Sequence, residues 1–204
     1  MSDDIKVCRA MLCDVECRSD DADGALSTVT GYAAVYNSPV VIAGMFREQV
    51  APGAFDGVIA DKRTTALFNH DPNIILGNQS GGTLTLESDD HGLRYTVDVD
   101  RESMWGREVL RYLQRGSVVG SSFGFMLDED GQSITYPDGP HGLRLRTITR
   151  VSQLPDVSPV TFPAYESTTA EARSQAAAWM ASVPFVGCVD TRRRRLALRE
   201  HESA

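Results

Sequence analysis

The sequence has no apolar run long enough to span a bilayer, so no helical membrane anchor is expected. It has no signal-peptide pattern either. Met1-Ser2-Asp3-Asp4 is acidic, whereas a secretory leader opens on positive charge followed by an apolar stretch. A cytoplasmic setting is the expectation that follows. Positive charge is also short. Lys and Arg total 20 against 28 Asp and Glu, a formal net charge of −8, so the chain as a whole is not built to coat nucleic acid. Cysteine is sparse: Cys8, Cys13, Cys17 and Cys188. Cys13 and Cys17 have no second pair at metal-ligand spacing, so neither a zinc site nor any other metal or cofactor is expected. In a reducing compartment all four read as free thiols. Internal repeats and long low-complexity tracts are missing too.

What remains is an ordinary globular composition. The chain has 204 residues, 42% apolar and 24% charged, enough for one domain with a sizeable core. Residues 1–183 read as that single domain, and residues 184–204 as a tail of different character. The tail carries Arg192-Arg193-Arg194-Arg195 and ends in polar residues, which reads as mobile or separately docked.

Short extended segments dominate the domain. Ile5 to Cys17 reads as a first strand, then Ser19 to Gly24 as a turn. Leu26 to Tyr36 reads as a strand with Val29, Gly31, Ala33 and Val35 on one face. Asn37-Ser38-Pro39 ends it. Val40 to Ile42 and Phe46 to Val50 are short strands, and Ala51-Pro52-Gly53 turns the chain into a short helix reaching about Ala60. Thr64 to Phe68, Ile74 to Leu76, Thr83 to Glu87 and Leu93 to Val99 follow as strands, with a hairpin signal at Gly81-Gly82. Asp100 is placed to cap a helix whose apolar stripe is Trp105, Val109, Tyr112 and Leu113, and Gly116 to end it. Ser133 to Tyr136, Leu143 to Thr149 and Val151 to Phe162 are extended again. Thr168-x-x-Glu171 is a capping-box pattern opening a helix to about Ala181. Many short strands and few helices predict an α+β fold: a β-rich, barrel-like core of mostly antiparallel strands with a few helices packed outside.

Chemistry concentrates at Gly120-Ser121-Ser122-Phe123-Gly124-Phe125. Strand alternation sends Ser121, Phe123 and Phe125 to one face and Ser122 and Gly124 to the other. The second face thus has a hydroxyl beside a position without a side chain, which leaves room for a reacting group. Serine alone is a poor nucleophile and needs a base within hydrogen-bond reach. Histidine suits that role near neutral pH, and a carboxylate can fix its tautomer. His70 and Asp156 stand at or near predicted strand ends within apolar stretches and supply those residue types. Their spacing along the chain decides nothing, since folding assembles such groups. A turn cap for His70 and an exposed edge charge for Asp156 are the plainer readings.

Several motifs go further. Phe46-Arg47-Glu48-Gln49-Val50-Ala51-Pro52-Gly53-Ala54-Phe55 resembles the F-x-E-x-(I/V)-x-P-G-A-F signature of the prohead proteases of tailed bacteriophages. Ala66-Leu67-Phe68-Asn69-His70-Asp71, followed by Ile75-Leu76-Gly77, is similar to that family's histidine motif, and to its counterpart in herpesvirus assemblins. Gly116 with Gly120 to Phe125 resembles the serine motif, and Val157-Ser158-Pro159-Val160-Thr161-Phe162-Pro163-Ala164 the late V-S-x-V-x-x-P-A strand. The motifs keep the family's order over roughly residues 30–170.

The resemblance implies a serine endopeptidase of capsid maturation. Its partners are the major capsid protein and scaffold sequences, which it cleaves inside the procapsid in the host cytoplasm, often cutting itself as well. Residues 1–183 would be the protease domain, with self-association as a dimer suggested by the herpesvirus relatives. His70 would be the general base and Ser122 the nucleophile, with Ser121 its rival. The third position is usually a glutamate just before V-S; here it is Asp156, and the herpesvirus pattern makes His141 and His91 its rivals. A backbone amide near the nucleophile, or Arg144, Arg146 or Arg150, is a candidate oxyanion donor, although the arginines are expected to balance the acidic surface. Rival functions are a non-enzymatic scaffold or capsid-assembly protein on the same fold, and a cytoplasmic housekeeping peptidase.

Overall fold

Alternation of buried and exposed positions, the period of a half-buried strand, runs through most apolar segments, and strands are what form there. The computed structural model describes residues 7–11, 15–18, 26–128, 130–137 and 142–162. The expected helix at 168–181, His141 and the basic tail lie outside the described residues.

Among the described residues the strands form three sheets. The first is five-stranded, in the order β1 (Val7–Met11), β10 (Gly120–Met126), β13 (Gln153–Val160), β6 (Thr65–Phe68), β7 (Asp71–Asn78). Its pairings are antiparallel except that of β13 with β6. The second is an antiparallel sheet in the order β2 (Val15–Arg18), β3 (Leu26–Val35), β9 (Gly92–Asp100), β8 (Leu84–Ser88). The third runs β11 (Gln132–Thr135), β12 (Leu145–Ile148), β5 (Phe46–Val50), β4 (Val40–Ile42), with β12 and β5 parallel. The α+β, β-rich core expected from the sequence is present. Among the described residues its sheets stay open rather than closing into one barrel.

The first sheet packs on the second through β10 against β3 and β7 against β9. Between them lie Val29, Leu93, Tyr95, Val97, Phe123, Phe125 and Val157. Phe123 stacks on Phe125 at 5.0 Å and receives the edge of Phe55 at 5.4 Å. Phe55 is delivered by the turn before a short helix α1 (Asp56–Ile59). Val50 and Ile148 bring the third sheet into the same core. Helix α2 (Met104–Gln114) buries Val109, Leu110 and Leu113 and ends at Gly116, whose φ of +66° is left-handed.

Some expectations are revised. The first predicted strand is two strands, β1 and β2, which join different sheets. The alternation of β3 breaks at a bulge between Tyr32 and Ala34, so Ala33 and Ala34 are both buried and Val35 is turned part-way out. Ser103, not Asp100, caps α2: its hydroxyl accepts the Gly106 N–H at 2.9 Å. Asp100 instead accepts the Glu102 N–H at 2.8 Å, fixing the turn before the cap. Trp105, expected on the apolar stripe, is largely exposed. The first turn meets β9 through the neighbouring Gly106, which is buried against Val99, and Trp105 is on a different face.

Candidate active site

The site is built on one face of the first sheet. Antiparallel pairing sets Ser122 opposite Ser158 and Gly124 opposite Asp156. Directly opposed residues share a face, so all four lie on the same side. The other side of β10 faces the second sheet. There Ser121 Oγ meets the Tyr95 hydroxyl at 3.0 Å, with both residues fully buried. That contact commits Ser121 to the core and leaves Ser122 for the site face, as alternation predicts. Gly31, opposite Tyr95 in the β3–β9 pairing, leaves the space the tyrosine ring occupies.

His70 arrives from the turn between β6 and β7. Asn69 and His70 both have left-handed backbone, with φ of +53° and +60°. Outside glycine that conformation costs roughly 1–2 kcal/mol per residue, with asparagine the most tolerant. It carries the imidazole back over the sheet to β13 and β10. His70 Nδ1 is hydrogen-bonded to Asp156 Oδ1, and Nε2 lies 2.5 Å from Ser122 Oγ. An ionised carboxylate only accepts, so the Nδ1 position carries the proton. In the neutral ring Nε2 is then the acceptor facing the serine hydroxyl. The Ser158 hydroxyl donates to the same Asp156 oxygen at 3.1 Å. Asp156 and Ser122 are each 1% exposed, while the His70 side chain keeps 20%. The serine and carboxylate are thus screened from water, and the imidazole is the part of the arrangement that reaches the surface.

The structure therefore brings His70, Ser122 and Asp156 within hydrogen-bond reach in one line. His91 sits elsewhere, in the turn between β8 and β9, with its ring edge-on to Tyr32 at 4.5 Å. The arginines divide. Arg150 is exposed and ion-paired with Asp130, as expected of a surface charge. Arg144 and Arg146 are buried, contrary to expectation. Arg146 donates to Glu48 Oε2 at 2.8 Å and to Gln132 Oε1 at 2.6 Å, and Arg144 lies 6.0 Å from the centroid of the Tyr136 ring. The strand alternation of Phe46, Glu48 and Val50 put this glutamate among inward positions, and its need for a buried cation was the signal to follow.

Sequence reasoning gave Ser158, Asn69 and Tyr95 no role. Ser158 was accessible to it, two residues from Asp156 on the same strand face. Tyr95 was not, because its partner belongs to another sheet. Among the described residues no cluster of histidine, cysteine, aspartate or glutamate could hold a metal ion, and no helix is long and apolar enough to cross a membrane.

A search of curated protein sequences finds no match. The solved structure of the bacteriophage T4 capsid assembly protease, gp21, aligns with a TM-score of 0.40 and 11% identity, covering 75% of this chain and 98% of that one. The profile of a family described as caudovirus prohead serine protease matches residues 13–182. That span takes in every strand from β2 to β13 and the residues His70, Ser122 and Asp156, and the chain belongs to the caudovirus prohead serine proteases.

Proposed function

We propose that this chain is the endopeptidase of prohead maturation, with Ser122 as nucleophile, His70 as general base and Asp156 as the group that orients it. The observation that carries the reading is His70 held between Ser122 Oγ, at 2.5 Å, and Asp156. Ser122 Oγ attacks the scissile carbonyl carbon as its proton passes to His70 Nε2. Asp156 keeps the Nδ1 proton and stabilises the imidazolium. The C–N bond breaks when His70 returns that proton to the leaving amine. Water then attacks the acyl-enzyme, giving its proton to the same nitrogen, and His70 hands that proton to Ser122 Oγ as the ester C–O bond breaks. Ser122 is paired in register with Ala10 on one side and Ser158 on the other, so its own N–H belongs to the sheet ladder. The Ser122 N–H is therefore not the oxyanion donor.

The substrates are scaffold or capsid-protein extensions, and the chain itself, cut inside the procapsid within the host cell. Co-expression with the cognate major capsid protein, read by intact mass, tests this. The wild type is expected to yield shortened products and Ser122→Ala none, with the variant folded because one hydroxyl is lost at little change in volume. Shortening by both would move the nucleophile away from Ser122. Shortening by neither, with capsids assembled around both, would favour a non-enzymatic assembly role.

A further inference from the structure

We infer that Asn69 is a positioning residue: it clips the His70 turn onto the strand that carries Asp156 and so sets the imidazole against Ser122. This rests on the reading of His70 as the general base. The parallel ladder between β6 and β13 contains only Asp156↔Thr65 and Val157↔Ala66. Past those pairs, Asn69, the first residue after β6, hydrogen-bonds to the end of β13. Its N–H donates to the Pro159 carbonyl at 3.1 Å. Its side-chain Oδ1 accepts the Thr161 N–H at 2.9 Å, and its Nδ2 donates to Thr161 Oγ1 at 3.1 Å. Three hydrogen bonds thus join the residue before His70 to the end of the strand holding Asp156 and Ser158.

The backbone explains why a clip is needed there. Asn69 and His70 are consecutive residues with positive φ, a pairing that a free chain seldom holds. Phe68, just before, is stacked on Tyr112 of α2 at 6.1 Å, so packing pins the entry to the turn at Phe68 and hydrogen bonds pin it at the next residue, Asn69. Asn69 itself is exposed. Its substitution removes no core contact, which separates a positioning effect from loss of the fold.

The test uses the full chain and three variants. Asn69→Gly keeps left-handed backbone accessible but removes both side-chain bonds. Asn69→Asp retains the acceptor for the Thr161 N–H and loses the Nδ2 donor. Thr161→Val removes the hydroxyl that receives Nδ2. The probe is a fluorophosphonate, whose rate of attachment to Ser122 is followed by mass. Asn69→Gly is expected to slow labelling by about 10–100-fold, the scale of an ångström-sized misplacement of a catalytic group. Asn69→Asp and Thr161→Val should fall between it and wild type, with thermal midpoints near that of wild type. The downfield proton resonance of the His70 Nδ1–H hydrogen bond should broaden or vanish in Asn69→Gly, a change that a purely structural role would not produce. Wild-type labelling and resonance retained in Asn69→Gly would overturn the inference. Labelling unchanged by Ser122→Ala would instead overturn the nucleophile assignment. The resonance would then still decide whether Asn69 positions the ring.

Discussion

Replacing Gly31 by alanine sets two known effects against each other. Glycine inside a strand costs roughly 0.5–1 kcal/mol relative to alanine, so on propensity alone Gly31→Ala would stabilise the fold. The structure argues the opposite. A Cβ at Gly31 would lie 2.9 Å from Tyr95 Oη, 3.0 Å from Tyr95 Cζ and 3.1 Å from Ser121 Oγ. Each must give by several tenths of an ångström. Tyr95 is fully buried in a two-sheet core and has no open direction to move. Overpacking typically costs about 1–3 kcal/mol, and three contacts at 3.1 Å or less put this case at about 2–3 kcal/mol, which outweighs a propensity gain of about 1 kcal/mol and leaves a net loss of about 1–2 kcal/mol. For a chain of this size that is a fall of roughly 2–8 °C in Tm. Tyr95→Phe, which removes the atom nearest the new methyl, should cost about 1 kcal/mol alone through the lost bond to Ser121. Combined with Gly31→Ala it should cost less than the sum, with a coupling of about 0.5–1 kcal/mol. Relief is partial because Cζ and Ser121 remain close. Urea unfolding of the four proteins in the cycle measures this. A Gly31→Ala protein as stable as wild type, or costs that simply add, would refute the account of how β10 is held.

Two other perturbations follow from features away from the site. Glu48→Ala removes the buried carboxylate to which Arg146 Nη1 donates, and should lower unfolding stability by about 3–5 kcal/mol; a loss under about 1 kcal/mol would mean that the pair contributes little. Asp89 accepts the Tyr32 hydroxyl at 2.7 Å, and this bond, aided by the Gly92 and His91 amides, holds its carboxyl below the usual range. A carboxyl that is more acidic in the folded chain stabilises it above the unfolded value of about 3.9 and gives that up as pH falls through the folded value. Asp89→Asn should therefore lower the urea midpoint at pH 7, and its deficit should shrink as pH drops below about 4. A deficit constant over that range would place the effect in the turn rather than in the charge.

Much of the fold was readable locally, and the residue types of the site with it. Alternation placed Phe123 and Phe125 on one side of β10 and Ser122 on the other because side-chain period is a property of a single strand. Gly116 ended α2 for an equally local reason. Which strands lie side by side is not local. Nothing in Gln153–Val160 signals a parallel pairing with Thr65–Phe68, and this pairing brings Asp156 beside the His70 turn. The Tyr95–Ser121 contact and the Arg146–Glu48 pair are hidden for the same reason, since each spans strands that are distant in sequence. The bulge in β3 and the cap at Ser103 are local, yet several residues nearby compete for each role, and packing chooses among them.

The order of the first sheet also has a kinetic consequence. Among the described strands of this sheet β13 is the last to be synthesised, and it lies between β10 and β6. Before it inserts, the strand carrying Ser122 and the strand leading to His70 have no common neighbour in the sheet. The long chain separations involved make that closure a late, slow event. A partly made chain therefore holds its serine and its histidine apart, and the same strand that joins them brings the carboxylate. The hydrogen-bonded line forms only when the three strands have come together, so the order of synthesis itself delays its assembly.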